Sequence, residues 1–280
     1  MKLTERLALT YIRTKFRLLS SISKKKAAAK ALELFKTPKE RETRPPSTVF
    51  HEAEELKFDL EGISIHGYRW NKNSMKKVLI VHGFESSIVN FDHYVGPLIA
   101  KGYEVLGFDA PGHGSSGGKT ITAPLFVKMI EIIHTHYGPV QSFIAHSFGG
   151  LTVSLALENI NHDQTYKAVL IAPATETTTA INQFFNLVQL NGKVRKKFDA
   201  LITEMGGYPA EWYSIHRAIK HIKAQILWLH DEDDQQTPLS DALRVKNENL
   251  PNVTFFITKG LGHSRIYRDH ETVKRIIDFL

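Results

Sequence analysis

Ser147 lies in the stretch QSFIAHSFGGLTVSLALE, with Ala145 before it and Gly149 and Gly150 after it. An apolar run precedes the serine and a helical pattern follows, so the stretch predicts a buried strand that turns sharply into a helix at the hydroxyl. Such a turn strains the backbone, and bulky residues two places before or after it would collide. It projects the hydroxyl above the sheet, at a helix N-terminus whose dipole favours negative charge. Serine alone is a poor nucleophile; it needs a base, and the base needs an orienting acid. HDEDDQQTP supplies acids just after one predicted strand, and GLGHSR supplies His263 just after the last. Both sites fall at carboxyl ends of strands, where open α/β sheets place their chemistry. The order Ser, Asp, His is one of the chain orders that serve nucleophilic acyl transfer. VHGF, after an earlier strand, offers a backbone N–H for an oxyanion. The plainer reading of Ser147 as a helix cap leaves these partners unexplained.

The elements that must position these groups can be read along the chain. LKFDL and ISIHGYRW flank Glu61-Gly62 and predict two strands joined by a tight turn. KKVLIVHG is a continuous apolar run, as expected of a strand buried on both faces. From there helix and strand alternate: a helix in FDHYVGPLIAKG, a strand in YEVLGFDA, a helix at 121–137, the strand SFIAHS, a helix at 148–159 and the strand YKAVLIAPA. AQILWLHD, a helix near 239–249, NVTFFITKG and a helix at 270–280 complete the pattern. This alternation predicts an open, mostly parallel sheet with helices on both faces. Residues 174–220 interrupt it. They are too long for a simple crossover and are expected to form a helical lid insertion. In that stretch Phe184, Phe185, Leu187, Val188 and Leu190 suit either an acyl pocket or the lid's own core.

Upstream, Leu3, Leu7, Tyr11, Ile12, Phe16, Leu19 and Ile22 recur at helical spacing, with Lys2, Arg6, Arg13 and Arg17 between them. KKKAAAKALELF predicts a second helix, and KERETRPPS a linker, because Pro45-Pro46 cannot continue a helix. The expected organisation is a basic amphipathic helical extension at 1–45 and a catalytic domain at 46–280, with 174–220 as its lid. Leu7, Ile12, Phe16 and Leu19 form a face suited to packing against the domain. Contact with an anionic membrane and self-association through residues 1–44 are the other readings of the segment.

Charge supports that division. The whole chain carries +7, yet residues 1–44 alone hold 13 Lys/Arg against four Asp/Glu, a net of +9. The remainder is slightly acidic, which argues against a nucleic-acid surface on the main domain. The absence of cysteine excludes disulfides and thiolate metal sites and fits a reducing compartment. No apolar run reaches the length of a membrane span, and the N-terminus lacks the features of a signal peptide. A cytoplasmic location, with peripheral membrane association as the variant, is expected.

VHGFESS, DAPGHGSS, AHSFGG, LHDEDDQQTP and GLGHS, in this order and at strand ends, together resemble a serine hydrolase of the α/β-hydrolase fold over roughly residues 56–280. The resemblance implies Ser147 as nucleophile and His263 as general base. It implies Asp234 as the acid, because the pattern His-Gly-x-x-Asp-x-x-Val-Pro aligns on His230 and Pro238, with Asp233 the alternative. It implies the backbone N–H groups of Phe84 and Phe148 as oxyanion donors, since the single glycine of HGF is similar to the branch in which the next residue donates. Ala145 departs from the first glycine of Gly-x-Ser-x-Gly, Asp231 from a glycine and Thr237 from a valine. The histidines at 82, 113, 146 and 230 are read as loop residues of the fold rather than metal ligands, and Asp109 as a residue that holds a loop. The implied activity is hydrolysis of a small-molecule carboxylic ester through an acyl-enzyme, with no cofactor and no metal. The same triad serves a thioesterase, an amidase or peptidase, an acyltransferase or a perhydrolase. A non-catalytic binding module on the same fold is the reading from a different class.

Overall fold

Val78 and Ile80 face one side of a strand, Leu79 and Val81 the other, and all four are buried. A strand with two apolar faces needs a layer on each, and the rest of the chain supplies them. The computed structural model describes residues 3–42 and 44–280. Lys2, counted among the basic residues of the first predicted helix, lies outside the described residues, as does the side chain of Leu3.

Among the described residues eight strands form one sheet: β1 (Glu54–Leu60), β2 (Ile63–Trp70), β3 (Lys76–Val81), β4 (Tyr103–Phe108), β5 (Ser142–His146), β6 (Lys167–Ile171), β7 (Gln225–Asp231) and β8 (Val253–Thr258). Their spatial order is β1-β2-β4-β3-β5-β6-β7-β8. β1 and β2 pair antiparallel, as do β2 and β4; every other neighbouring pair is parallel. The turn between β1 and β2 is the two-residue Glu61-Gly62, with φ of 54° and 82°. Both residues at positive φ match the turn whose twist fits a hairpin, and glycine takes the second place without strain.

The helices are α1 (Leu3–Ile22), α2 (Lys24–Phe35), α3 (Asp92–Ala100), α4 (Ala123–Tyr137), α5 (Phe148–Asn159), α6 (Thr177–Val188), α7 (Gly192–Gly206), α8 (Ile215–Ala218), α9 (Leu239–Lys246), α10 (Gly262–Arg265) and α11 (His270–Phe279). The chain divides into two compact units. The larger, Pro38–Thr175 with Ser214–Leu280, holds the sheet. On one sheet face Val78, Ile80, Ile144, Val169, Ile171 and Leu227 join Val95 and Leu98 of α3 and Ile276 of α11 in a single core. α4 and α5 pack together, and α5 lies against β3, β5 and β6. The chain thus runs from β3 through α3 to β4 on one side and returns to place β5 on the other. The connections leave β3 in opposite directions, so the switch point of the sheet lies between the carboxyl ends of β3 and β5, where open α/β sheets place their ligands.

The smaller unit combines the chain up to Thr37 with Glu176–Tyr213. The N-terminal helices therefore share a unit with the insertion, a grouping that boundaries drawn along the chain at 45 and at 174–220 do not express. α2 packs on α7 and α1 on α6. Ala27, Ala28 and Ala31 of α2 are fully buried, small enough to let the helices approach closely. Ser23 caps α2 by accepting the Lys26 N–H. Phe35 meets Phe184 and Phe198 edge to face, with centroids 5.3 and 5.7 Å away, and Phe185 meets Phe198 at 5.0 Å. Phe184, Phe185 and Val188 thus belong to this unit's own core. On α1, Phe16 is buried and Ile12 and Leu19 are partly covered. Leu7, expected on the same packing face, is 63% exposed and lies on the opposite side of the helix.

Candidate active site

Ser147 follows the last residue of β5 and precedes α5, with φ 55° and ψ −120°. An L-residue rarely adopts this conformation. Its glycine neighbours are packed too closely to carry a side chain. A Cβ on Gly149 would stand 2.5 Å from the Val81 carbonyl oxygen and 2.6 Å from that of His82. A Cβ on Gly150 would reach Pro173 Cβ at 2.6 Å, and one on Gly83 would reach Ser147 Cβ at 2.8 Å. The three glycines let α5 press against β3 and let the loop after β3 pass over the serine. Ala145 sits buried in β5 between Val81 and Leu170, so its methyl is absorbed by the sheet. The Ser147 N–H donates to the Ile171 carbonyl at 3.0 Å, and its own carbonyl accepts from Ala174 at 2.9 Å.

The Ser147 Oγ lies 3.0 Å from His263 Nε2, and His263 Nδ1 lies 2.7 Å from Asp234 Oδ2. The three residues come from the ends of β5, β7 and β8, more than 25 residues apart in each case. Asp234 Oδ1 accepts the N–H groups of Gln236 and Thr237 at 2.8 and 2.9 Å, and Oδ2 also accepts the Thr237 hydroxyl at 2.8 Å. Burial by itself would raise the Asp234 pKa, but the bond and charge of His263 and the Thr237 donors outweigh it and hold the carboxyl below its usual range. It stays a carboxylate, able only to accept, so the His263 proton sits on Nδ1 and Nε2 is left with a lone pair toward the serine.

The other three acids of the run do different things. Asp231 is fully buried and takes four donors: Asp233 N–H and Gly262 N–H on Oδ1, Thr258 Oγ1 and Leu261 N–H on Oδ2. It ties down the loop that carries His263. Asp233 Oδ2 accepts the Gly260 N–H at 3.0 Å, in the same loop, and makes no contact with the ring. Glu232 pairs with Lys259 at the exposed edge. The carboxylate next to His263 is therefore Asp234.

Four further histidines surround these groups, and hydrogen-bond partners assign their protons. Trp228 Nε1–H can only donate, so His230 accepts at Nδ1 and donates from Nε2 to the Thr237 carbonyl at 2.6 Å. His82 accepts the Ala110 N–H at Nε2 and donates from Nδ1 to the Gly83 carbonyl at 2.7 Å. His113 accepts the Glu85 N–H at Nε2 and donates from Nδ1 to Pro111. His146 donates from Nε2 to the carbonyl of His263 at 3.0 Å, and its Nδ1 has no partner among the described residues. Burial lowers the pKa of all four; His113 and His146 fall to about 3, the first helped by neighbouring His82 and the second by neighbouring His263. Among the described residues no group of three or more His, Asp or Glu is arranged to hold a metal ion.

Two of these histidines bracket Phe84. The Gly83 carbonyl and the Phe84 N–H belong to one planar trans peptide and point in opposite directions. The bond from His82 therefore aims the Phe84 N–H, while the bond from Glu85 to His113 holds the next peptide. Glu85 itself lies at φ 56°. Among the described residues neither the Phe84 nor the Phe148 N–H donates to a protein acceptor. Their rings meet edge to face at 6.3 Å, and Phe126 packs on Phe148 at 5.7 Å. Asp109 serves structure: its carboxylate accepts the N–H groups of Ile88 and Ser115, and its carbonyl accepts the Ser116 hydroxyl.

All five residues singled out in the sequence thus meet at the carboxyl ends of β3, β5, β7 and β8. Two contributions were not read there: the Thr237 hydroxyl, 3.1 Å from His263 Nδ1, and the bond of His146 to the His263 backbone. The threonine stood out as a departure from valine. His146 left no local signal, because its partner lies 117 residues away.

Comparison with known proteins agrees with this architecture. The family model described as serine aminopeptidase, S33, matches residues 72–214, just over half of the chain. YqkD, an uncharacterized protein of Bacillus subtilis strain 168, is 22% identical over 241 residues, covering 78% of this chain and 76% of its own. The esterase Pf2001 of Pyrococcus furiosus superposes with a TM-score of 0.64 at 19% identity, over 88% of this chain and 97% of that one. Mouse alpha/beta hydrolase domain-containing protein 10 does so with a TM-score of 0.60 at 17% identity, over 81% and 96%.

Proposed function

The chain belongs to the serine aminopeptidase S33 family and is a hydrolase of the α/β-hydrolase fold; on that premise we propose that it cleaves a carboxylic ester through an acyl-enzyme on Ser147. The observation that carries this reading is the contact of Ser147 Oγ with His263 Nε2 at 3.0 Å, made by a serine held at positive φ. In this mechanism Oγ attacks the ester carbonyl carbon while its proton passes to His263 Nε2. The carbonyl oxygen becomes an oxyanion that accepts hydrogen bonds from the Phe84 and Phe148 N–H groups, beside the N-terminus of α5. Asp234 steadies the imidazolium without taking its proton. Collapse of the tetrahedral adduct breaks the bond to the alcohol oxygen, which leaves with the proton from Nε2. Water then attacks the acyl-enzyme, giving a proton to Nε2 and its oxygen to the acyl group. The second collapse frees the acid and returns the proton to Ser147.

The family description favours a second reading, cleavage of an amide, because the same steps release an amine if His263 protonates it as it departs. An ester and an aminoacyl-amide of matched acyl group separate the two: turnover of the ester with none of the amide supports the first reading, and turnover of the amide as well supports the second. Covalency is tested directly. A fluorophosphonate should add one adduct to Ser147, found by peptide mass spectrometry, and Ser147→Ala should remove it. An adduct elsewhere, or none on hydrolytically active protein, rejects Ser147 as nucleophile.

A further inference from the structure

We propose that the helical unit formed by the N-terminal helices and the insertion binds the surface of an anionic lipid bilayer, with the outward face of α1 as its contact. A helix on a protein surface needs one apolar stripe; α1 has two. Phe16, Ile12 and Leu19 supply the stripe that packs inward. About 120° round the helix, Leu7, Tyr11, Leu18 and Ile22 are 63, 67, 62 and 80% exposed. At 100° per residue these four fall within an arc of about 60°. They form one continuous face, not scattered exposures. Of the eight large hydrophobic side chains exposed among the described residues, seven lie in this unit; Met75 is the exception.

Exposed cations stand on both sides of the stripe. At the same 100° per residue exposed Lys15 lies about 20° beyond one edge, and exposed Arg17 and Arg6 lie about 80° and 100° beyond the other, past Thr14, Ser21 and Thr10. The unit as a whole contains 14 Lys/Arg and six Asp/Glu, a net of +8, whereas the sheet-bearing unit is near neutral at −1. An apolar stripe with cations further round on both sides fits a helix lying in the plane of a membrane, with Leu, Tyr and Ile entering the headgroup boundary and Arg and Lys meeting lipid phosphates. No helix among the described residues is long and apolar enough to cross a bilayer, so the contact is with its surface. Charge selects this occupant over the alternatives. Two copies of the face would set like charges against each other, and a nucleic acid would leave the four apolar side chains against a polar backbone.

The test uses the full chain and measures binding, so it is independent of the catalytic reading. Sedimentation is followed with vesicles of phosphatidylcholine and with vesicles containing about one third phosphatidylglycerol. The anionic vesicles should bind more protein, and salt should weaken that binding. Each cation near an anionic surface contributes a factor of about five. Arg6→Gln, Lys15→Gln and Arg17→Gln combined should therefore weaken binding roughly 100-fold. Leu7→Ser, Tyr11→Ser, Leu18→Ser and Ile22→Ser combined should abolish it, while Met75→Ser changes nothing. All these side chains are exposed, so melting temperature should hold, and the two sets of changes perturb different chemistry. Vesicle binding that survives the apolar quadruple change overturns the proposal. So does a wild type that ignores vesicles, including one whose mass by light scattering is that of a dimer which the apolar changes split.

Discussion

Replacing Asp234 with Asn isolates the part of the site that orients the base. The substitution keeps shape and one acceptor oxygen. The two backbone donors, Gln236 and Thr237, hold the Oδ1 side, so the new amide nitrogen is driven to the Oδ2 side, facing His263 Nδ1. Two donors cannot share that 2.7 Å contact. The ring relieves the clash by moving its proton to Nε2, which then faces Ser147 with nothing to accept a proton. The carboxylate charge that steadies the imidazolium is lost as well. With charge centres about 4 Å apart and an effective dielectric of about 20, that charge is worth about 4 kcal/mol, a factor of about 10³ in rate. The wrong tautomer carries the expected loss in kcat toward 10⁴. Asp233→Asn should stay within a few-fold of wild type, since that side chain holds only the Gly260 N–H. Asp231→Asn should act on stability, because all four of its partners are donors and each bond to its charge contributes about 1.5–3 kcal/mol. The assay is initial-rate hydrolysis of a soluble ester, with thermal melts to separate folding from chemistry. A hundred-fold or larger loss in Asp233→Asn with a mild effect in Asp234→Asn would refute the reasoning.

Other outcomes follow from the same geometry. Stability should fall on acidification: His113 and His146 stay neutral down to about 3 when folded but take protons near 6.5 when unfolded. Their contribution is fully present above pH 6.5 and is lost as pH drops toward 3, and thermal melts should show a falling melting temperature across that window rather than a constant one. Gly149→Ala should cost about 1–3 kcal/mol and depress activity, because its methyl meets the backbone carbonyls of Val81, at the end of β3, and of His82 at 2.5 and 2.6 Å. Ala145→Gly should cost about 0.5–1 kcal/mol at most and leave kcat near wild type; a large activity change there would show that the elbow depends on the methyl.

Local constraints are what the sequence by itself determined. The turn at Ser147 demands small residues within two or three places, so Ala145, Gly149 and Gly150 announce it without reference to anything distant. The same holds for the two-residue hairpin at Glu61-Gly62 and for the continuous apolar run of β3; strand–helix alternation made an open, mostly parallel sheet legible, and the motifs at the strand ends supplied the resemblance to the α/β-hydrolase fold. Tertiary structure decided matters of direction and of distant partnership. Four acids in a row look alike along the chain, yet only Asp234 is turned to the His263 ring, while Asp231 is turned to the backbone donors of the His263 loop. His82, His113 and His146 each took a backbone partner distant in the chain, 28, 28 and 117 residues away, that no local pattern announces. α1 makes the point most sharply. Helical periodicity shows which residues share a face, but α1 has two apolar faces, and its packing in the unit shared with α2, α6 and α7 covers Phe16 and leaves Leu7 in solvent. Periodicity is a property of the chain; burial is a property of what packs against it.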